Sequence, residues 1–372
     1  MTTLIVLFVC LLLLSSLSFA LVSNGWFRAL RVMLPSAEAE DVTIIIAAHN
    51  ERSNIVRVLD AIRAQDYPAD RIRVIIADDR SSDGTAEIAR AHAGDLRLDI
   101  LRIDSTPEGL SPKKHALHLA IHAAHTDILL FTDADCRPEP GWIAGLHRVF
   151  AAGAEVVVAP APLEGGKGFT ERYSAYEACR TAAFMIAATA HGVPYMASGR
   201  NWGYRKSLYT RCDGLPAVGR WLGGDDDLLL QQFAASGARI AACTEANAFV
   251  RSDAPGEFSS LVRQKMRHYR VSGAYSGKAA LLLGIIVASQ VSVFPLAIIL
   301  TILFLLHGQF MAAALPQIGL LWMLHYNAGF MMPVTRLLGM EARRTSLAGL
   351  ECFHVVFSAL AGIASFFRPQ RW

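Results

Sequence analysis

Apolar residues follow two patterns in this chain. Short β-branched runs punctuate its middle, and long unbroken apolar stretches occupy both ends. Residues 41–47 (DVTIIIA) are too short for a helix of typical length and too apolar for an exposed strand, so they predict a buried strand. Runs at 73–77, 98–102 and 128–132 predict three more. Helical periodicity separates them. Ser53 is placed to cap a helix to about Ala64, with Ile55, Val58, Leu59 and Ile62 on one face. Further helices are predicted at 86–93 and from Lys113 and Lys114 to about 124. This alternation predicts an α/β unit with a mostly parallel sheet and right-handed crossovers over residues 41–135. Beyond Trp142 the pattern is less regular. It predicts a strand at 155–159, a helix at 169–190, a turn-rich stretch at 199–204, a helix at 228–235, a short strand at 239–242 and a basic amphipathic helix at 258–269.

The ends read differently. Residues 4–22 are apolar apart from Ser15, Ser16 and Ser18, and long apolar stretches recur at 279–306, 311–332 and 346–367. About 20 apolar residues suffice to cross a bilayer. The expected organisation is a transmembrane anchor over 1–24, one water-facing domain over 41–275 and a C-terminal membrane region over 279–367. That region is expected to hold about three segments, with two or four open, because Gly284 and Pro295 permit a break. No Lys or Arg precedes the first stretch, while Arg28 and Arg31 follow it. The positive-inside rule then places the domain in the cytoplasm, on an inner membrane. A cleaved signal peptide ending near Ala20, giving a secreted soluble domain, is the alternative. The loop with Arg336, Arg343 and Arg344 and the tail with Arg368 and Arg371 are both basic. Both can be cytoplasmic only if 346–367 re-enters or lies at the interface.

A net charge of +3, with no basic stripe interleaved with aromatics, argues against nucleic acid. None of the six cysteines forms a CxxC pair or has zinc spacing with histidine, which fits a reduced compartment. The candidate chemistry lies in three acidic clusters: Asp78-Asp79, Asp133-Ala134-Asp135 and Asp225-Asp226-Asp227. The first two fall where a strand ends. Carboxylates grouped there are unfavourable unless a cation or hydrogen-bond donors meet them. Open α/β sheets bind ligands at that edge, so a divalent metal with a nucleotide diphosphate is the economical partner.

Five strings in order resemble the family-2 inverting glycosyltransferases of GT-A fold. They are Ala48-His49-Asn50-Glu51, Asp78 to Thr85, Thr132-Asp133-Ala134-Asp135, Gly224-Asp225-Asp226 and Gln264 to His268. The resemblance covers residues 41–270 and implies a GT-A domain flanked by transmembrane helices. It implies nucleotide contacts at Asn50, Glu51, Asp78, Asp79, Lys114 and Asp133, the acidic pair Asp78-Asp79 accepting the N3–H of uracil. Asp135, with Asp133, would hold Mg²⁺ or Mn²⁺. Asp226 falls at the catalytic-base position, Asp225 is the reserve, and Asp227 is expected to cap the next helix. Gln264, Arg267 and His268 resemble the QxxRW motif with His for Trp, and would meet the diphosphate and the acceptor. Each string has a plainer reading: turn or capping aspartates, solvated lysines, and a juxtamembrane helix that binds anionic lipid. Trp202 or Trp221 would stack on a sugar or lipid, or be core.

The expected function is transfer of a sugar, with inversion, from a nucleotide sugar (UDP-linked by the resemblance) to a membrane lipid. A processive polysaccharide synthase and a non-catalytic nucleotide-binding membrane protein are the rivals.

Overall fold

The computed structural model describes residues 1–212, 214–217, 224–275 and 277–367. Its elements are, in chain order, α1 (Thr2–Leu30), β1 (Val42–Ala48), α2 (Ile55–Arg63), β2 (Ile72–Asp79), α3 (Thr85–Ala91), β3 (Arg97–Ile103), α4 (Pro112–Ala123) and β4 (Ile128–Asp133). There follow β5 (Arg137–Pro138), α5 (Trp142–Ala151), β6 (Val156–Val158), β7 (Leu163–Glu164), α6 (Phe169–Ala190), β8 (Trp202–Arg205), α7 (Lys206–Arg211), α8 (Gly214–Ala217) and α9 (Asp227–Ala235). The chain continues through β9 (Ile240–Ala242), β10 (Val250–Asp253), α10 (Phe258–Ser272), α11 (Gly277–Leu306), α12 (Phe310–Leu337) and α13 (Arg344–Phe367).

The runs in β1, β2 and β4 are buried strands because helices cover both faces of their sheet, whereas the edge strand β3 is largely exposed or half-buried. β1, β2, β3 and β4 pair in parallel, in a seven-stranded sheet of order β3-β2-β1-β4-β8-β6-β9. Register aligns the strand ends. Ala48 pairs with Asp78, and Ala47 with Asp133, so two acidic clusters come to one edge. β8 runs antiparallel between β4 and β6. This corrects the turn-rich reading of 199–204: Trp202–Arg205 is a central strand. Gly203 lets β8 approach, since a Cβ there would meet the Leu129 carbonyl at 2.7 Å. A small second sheet has the order β5-β10-β7. Ser53 does not cap α2; Asn54 occupies the N-cap, because Glu51 turns the chain there by accepting from the Asn54 and Ile55 amides.

Three helices are long and apolar enough to cross a membrane, judged by length and composition: Thr2–Leu30, Ala280–Leu306 and Arg344–Ser365, with mean hydropathies of 2.8, 2.3 and 1.7. α11 is one continuous helix with Pro295 inside it. α1 does two jobs along its length. Phe8 packs against Val293, Leu300 and Phe304 of α11 and Met323 of α12 in a satellite cluster. Phe19, Val22, Trp26 and Ala29 belong instead to the main core beneath the sheet. Phe19 stands edge-on to Phe184 of α6 and Phe330 of α12, at 5.6 and 6.2 Å between centroids.

Candidate active site

Two loops at the carboxyl edge of the sheet are laced together before any ligand is considered. The β1–α2 loop offers its amides to side chains of the β2–α3 loop. Asn50 N–H donates to Ser81 Oγ (2.9 Å), Glu51 N–H to Thr85 Oγ1 (2.9 Å) and Arg52 N–H to Asp83 Oδ2 (3.0 Å). Asn50 Oδ1 accepts from Ser82 N–H in return, at 2.9 Å. His49 Nδ1–H donates to the Asp79 carbonyl at 2.5 Å. Asn50 and Arg80 take positive φ, of 57° and 56°, to make these turns. Asn50 thus holds one loop to the other. Asp83 is structural as expected: Oδ1 accepts from the Thr85 amide at 3.0 Å, opening α3.

The sheet delivers its carboxylates to this edge at different depths. Asp78 is fully buried; its Oδ1 accepts from Ser81 N–H at 3.3 Å, and its Oδ2 has no partner among the described residues. Asp79 is paired with Arg80 at 2.8 Å. β4 ends at Asp133, and a turn closed by Cys136 N–H to Asp133 O buries Ala134 between Asp133 and the exposed Asp135. Both aspartates act on Glu51, whose carboxyl is raised chiefly by its own burial. Asp135 has no ion-pair partner among the described residues. Glu51 accepts from Asn54 Nδ2 at 2.7 Å.

Lys113, in the first turn of α4, joins the second and third clusters. Its ammonium lies 3.0 Å from Asp133 Oδ1 and 3.4 Å from Asp225 Oδ2. Burial would raise the Asp133 carboxyl, but Lys113, with Arg200 and Arg267 near by, holds it below the usual carboxylate range. Burial would lower Lys113 in turn, and the two aspartates more than reverse that. Lys114, the lysine singled out by the resemblance, is 1 % exposed; burial pulls it down to about 8, against the opposite pull of Asp225 and Asp226. Lys113 makes the ion pairs with Asp133 and Asp225.

Asp226 caps α9. Its Oδ1 accepts from Asp227 N–H (2.8 Å) and its Oδ2 from Gly199 N–H (2.6 Å). Burial, then the neighbouring Asp225, pushes its carboxyl up to about 6. A Cβ on residue 199 would stand 3.0 Å from Asp226 Oδ2, so glycine permits this contact. The expectation that Asp227 caps the helix is corrected. Asp227 accepts from the Ala197 amide at 3.2 Å and from the Tyr275 hydroxyl, tying α9 to the end of α10. Asp225, with Lys113, Asp133, Gly199, Phe131 and Leu215, lines a narrow pocket at this point.

α10 closes the opposite side. Arg267 is exposed, makes no ion pair among the described residues, and lies near enough to Asp133 to lower its carboxyl. Gln264 is half-buried and His268 exposed on the same helix. Lys265 points inward to an ion pair with Glu177 of α6. Arg200 donates to Ser252 Oγ and, at 3.0 Å, to the Ala161 carbonyl. Asn201 is a buried strut, accepting from Trp142 Nε1 at 2.8 Å and donating to the Pro160 carbonyl at 2.7 Å. Trp202 is core, 5.6 Å from the Phe131 ring; Trp221 lies outside the described residues. In the sequence Lys113 stands beside Lys114 as a candidate for the diphosphate, and Arg200 lies in the 199–202 stretch that reads as part of the acceptor pocket; the structure puts Lys113 in ion pairs with Asp133 and Asp225 and Arg200 near Asp133.

Among the described residues, no three His, Cys, Asp or Glu side chains close a metal cage. The fit is that of an open site. Asp135 offers hard oxygen donors to solvent with no internal cation on it, and ligand oxygens would complete the shell. Asp133 stands beside it.

Residues 43–212 match the family model described as Glycosyl transferase family 2. The glycosyltransferase AglE of Haloferax volcanii is 32% identical over 139 residues, which cover 36% of this chain and 44% of that protein. The 4,4'-diaponeurosporenoate glycosyltransferase of Staphylococcus aureus is 36% identical over 94 residues, covering 25% of this chain and 24% of that one. The chain thus spans less than half the length of these curated relatives. Among solved structures, a mannosyltransferase from Pyrobaculum calidifontis, in complex with GDP-Man and Mn²⁺, superposes with a TM-score of 0.56 at 19% identity. That superposition covers 96% of this chain and 99% of that one, and shows a common GT-A-like fold.

Proposed function

Because residues 43–212 match the family model Glycosyl transferase family 2, we propose that the protein is a membrane-bound inverting hexosyltransferase of that family, drawing on a nucleotide sugar and glycosylating a membrane lipid. One observation carries this reading: Asp133, Asp225 and Asp226, from distant parts of the chain, converge with Lys113 in one cleft that Arg267 faces.

In this reading the donor's diphosphate lies between Lys113 and Arg267, two cations on opposite sides of the cleft. A divalent cation, Mg²⁺ or Mn²⁺, held by Asp135 with Asp133 beside it, would neutralise charge on the departing diphosphate. The nucleobase lies at the Asp78-Asp79 end of the sheet, where the laced loops with Asn50 and Glu51 form a rigid floor. The unpartnered Oδ2 of Asp78 supports an N–H donor there, as uracil offers. Asp226 takes the proton of the acceptor hydroxyl as that oxygen attacks the anomeric carbon. The bond from that carbon to the diphosphate oxygen breaks, and its electron pair leaves with the nucleoside diphosphate. With one base and no carboxylate nucleophile, the configuration inverts. Preorganised positioning and leaving-group neutralisation supply most of the catalysis.

A lipid acceptor is supported by the cleft-facing helix α10 running within a few residues of the apolar helix α11. The domain organisation, 1–24, 41–275 and 279–367, and a cytoplasmic orientation at an inner membrane belong to the same proposal. The facing of Arg267 into the cleft also suits a polysaccharide synthase, and product length separates the two. The test is incubation of the purified protein with UDP- and GDP-sugars and extracted membrane lipids, with mass spectrometry of the product. A glycosylated lipid that is lost in Asp226→Asn supports the proposal. Turnover that survives Asp226→Asn, or needs no divalent metal, overturns it. Asp225→Asn, run in parallel, decides between the two candidate bases.

A further inference from the structure

We propose that α13 does not cross the membrane but lies along its surface, on the side where the catalytic domain sits. Its outer face, Val356, Leu360 and Ile363, is seated in the acyl–headgroup boundary. By length and composition alone α13 qualifies as a span. Its packing argues otherwise.

The apolar cluster of the membrane bundle draws on α1 (Phe8), α11 (Val293, Leu296, Ala297, Leu300, Phe304) and α12 (Ala313, Met323). No residue of α13 is in it. The buried apolar residues Leu347, Leu350, Phe357 and Ala361 of α13 join the core beneath the catalytic sheet, with Tyr173 and Tyr176 of α6 and Ala328, Phe330, Met331 and Val334 in the half of α12 next to that core. Polar bonds to the catalytic side run the whole length of the helix. Ser346 accepts from Arg172 at 3.0 Å, Glu351 pairs with Arg180 at 3.3 Å and His354 meets the Tyr173 hydroxyl at 3.0 Å. Tyr269 of α10 donates to Ser358 Oγ at 2.9 Å, and Arg270 donates to the Ser365 carbonyl at 3.2 Å.

The last bond decides the direction. A helix of this length rises by roughly 30 Å, about the thickness of the hydrocarbon core. Were α13 a span, Ser365 would stand at the far face of the bilayer. It is instead bonded to Arg270, which precedes α11 at that helix's catalytic end. The other end of α13 is held to the same side, where Arg251 of β10 donates to the Leu338 carbonyl in the loop before it.

What remains uncovered is one stripe. Val356, Leu360 and Ile363 are 47%, 63% and 59% exposed, and their spacing of four and three residues puts them on one helical face. The opposite face is bound to protein, through the buried Leu347, Leu350, Phe357 and Ala361 and through Glu351 and His354. A helix held on that side, with an apolar stripe turned outward beside lipid-facing α11, has the bilayer boundary as its partner. This inference rests on membrane association and is independent of the catalytic reading.

Full-length protein in sealed membrane vesicles, with Cys10, Cys212 and Cys352 replaced by serine and only the buried Cys136, Cys179 and Cys243 retained, would carry one introduced cysteine at a time, with the protein lacking any introduced cysteine as the labelling background. Glu341→Cys lies before α13, Gln370→Cys after it, and Gln309→Cys in the loop between α11 and α12. A membrane-impermeant maleimide should label Glu341→Cys and Gln370→Cys from one side and Gln309→Cys from the other. Labelling of Gln370→Cys from the Gln309→Cys side overturns the proposal. A fluorophore on Leu360→Cys, read by depth-resolved lipid quenchers, is a second measure. Strongest quenching near the headgroups supports the proposal. Quenching at the midplane, or none by lipid because water or a second copy covers the stripe, overturns it.

Discussion

Asp226 holds two backbone amides and still has a carboxyl lifted to about 6 by burial and by Asp225. In the proposed role of base Asp226 must be ionised to accept a proton, so the raised value predicts an acid limit on activity. The logarithm of kcat/KM should fall with unit slope as pH drops below about 6, and level off above it. A profile flat down to pH 4.5 would show that another group takes the proton. Replacing Asp226 with Asn keeps its shape and removes the basicity. The expected loss in kcat is about 10²- to 10⁴-fold, with donor KM nearly unchanged, measured by nucleoside diphosphate release.

At the scale of elements, the helix that carries Gln264, Arg267 and His268 is held from behind. Lys265 and Glu177 are 8% and 14% exposed, and their ion pair fixes α10 against α6. Burial would raise Glu177, but Lys265 overrides it and brings the carboxyl down to about 2. A depressed acid stabilises the fold above its unfolded pKa. That contribution is therefore whole above about pH 4.5 and fades as pH falls toward 2. Lys265→Met strands a buried carboxylate and should destabilise by about 3–5 kcal/mol. Adding Glu177→Leu should restore much of that in a thermal melt; no recovery would mean the pair does not orient α10. Elements were legible in the sequence to the extent that one local signal dominated. β1, β2 and β4 were plain because β-branched runs have no competing helical phase, and the acidic clusters were plain because they close such runs. β8 was hidden by Gly199 and Gly203, which read as turn; Gly203 instead serves close backbone approach to β4, and Gly199 the contact with Asp226. The passing of the cap from Asp227 to Asp226 was hidden because adjacent identical residues differ only by one position in register. The Lys265–Glu177 pair joins positions 88 apart and has no local sequence signal.

At the scale of the molecule, the apolar helix α1 and the domain built on the seven-stranded sheet share one core. Trp26 of α1 is fully buried in the cluster that underlies the sheet. Trp26→Ala should therefore weaken the water-facing domain by about 3–5 kcal/mol, seen as a lower melting temperature of nucleotide binding, while membrane insertion persists. An unchanged melting temperature would mean that α1 only tethers. The alternative of a secreted domain released after Ala20 meets the same fact, since Phe19 is wholly enclosed between Phe184 and Phe330.

That enclosure sets an order of assembly. The ribosome makes Phe19 and Trp26 first, and the helices that wall them in, α6 and α12, emerge roughly 150 and 300 residues later; at about 5–20 residues per second the wait is tens of seconds. During that interval the half of α1 destined for the core has only lipid or a chaperone to cover it. The wall around Phe19 closes only when α12 brings Phe330 to it.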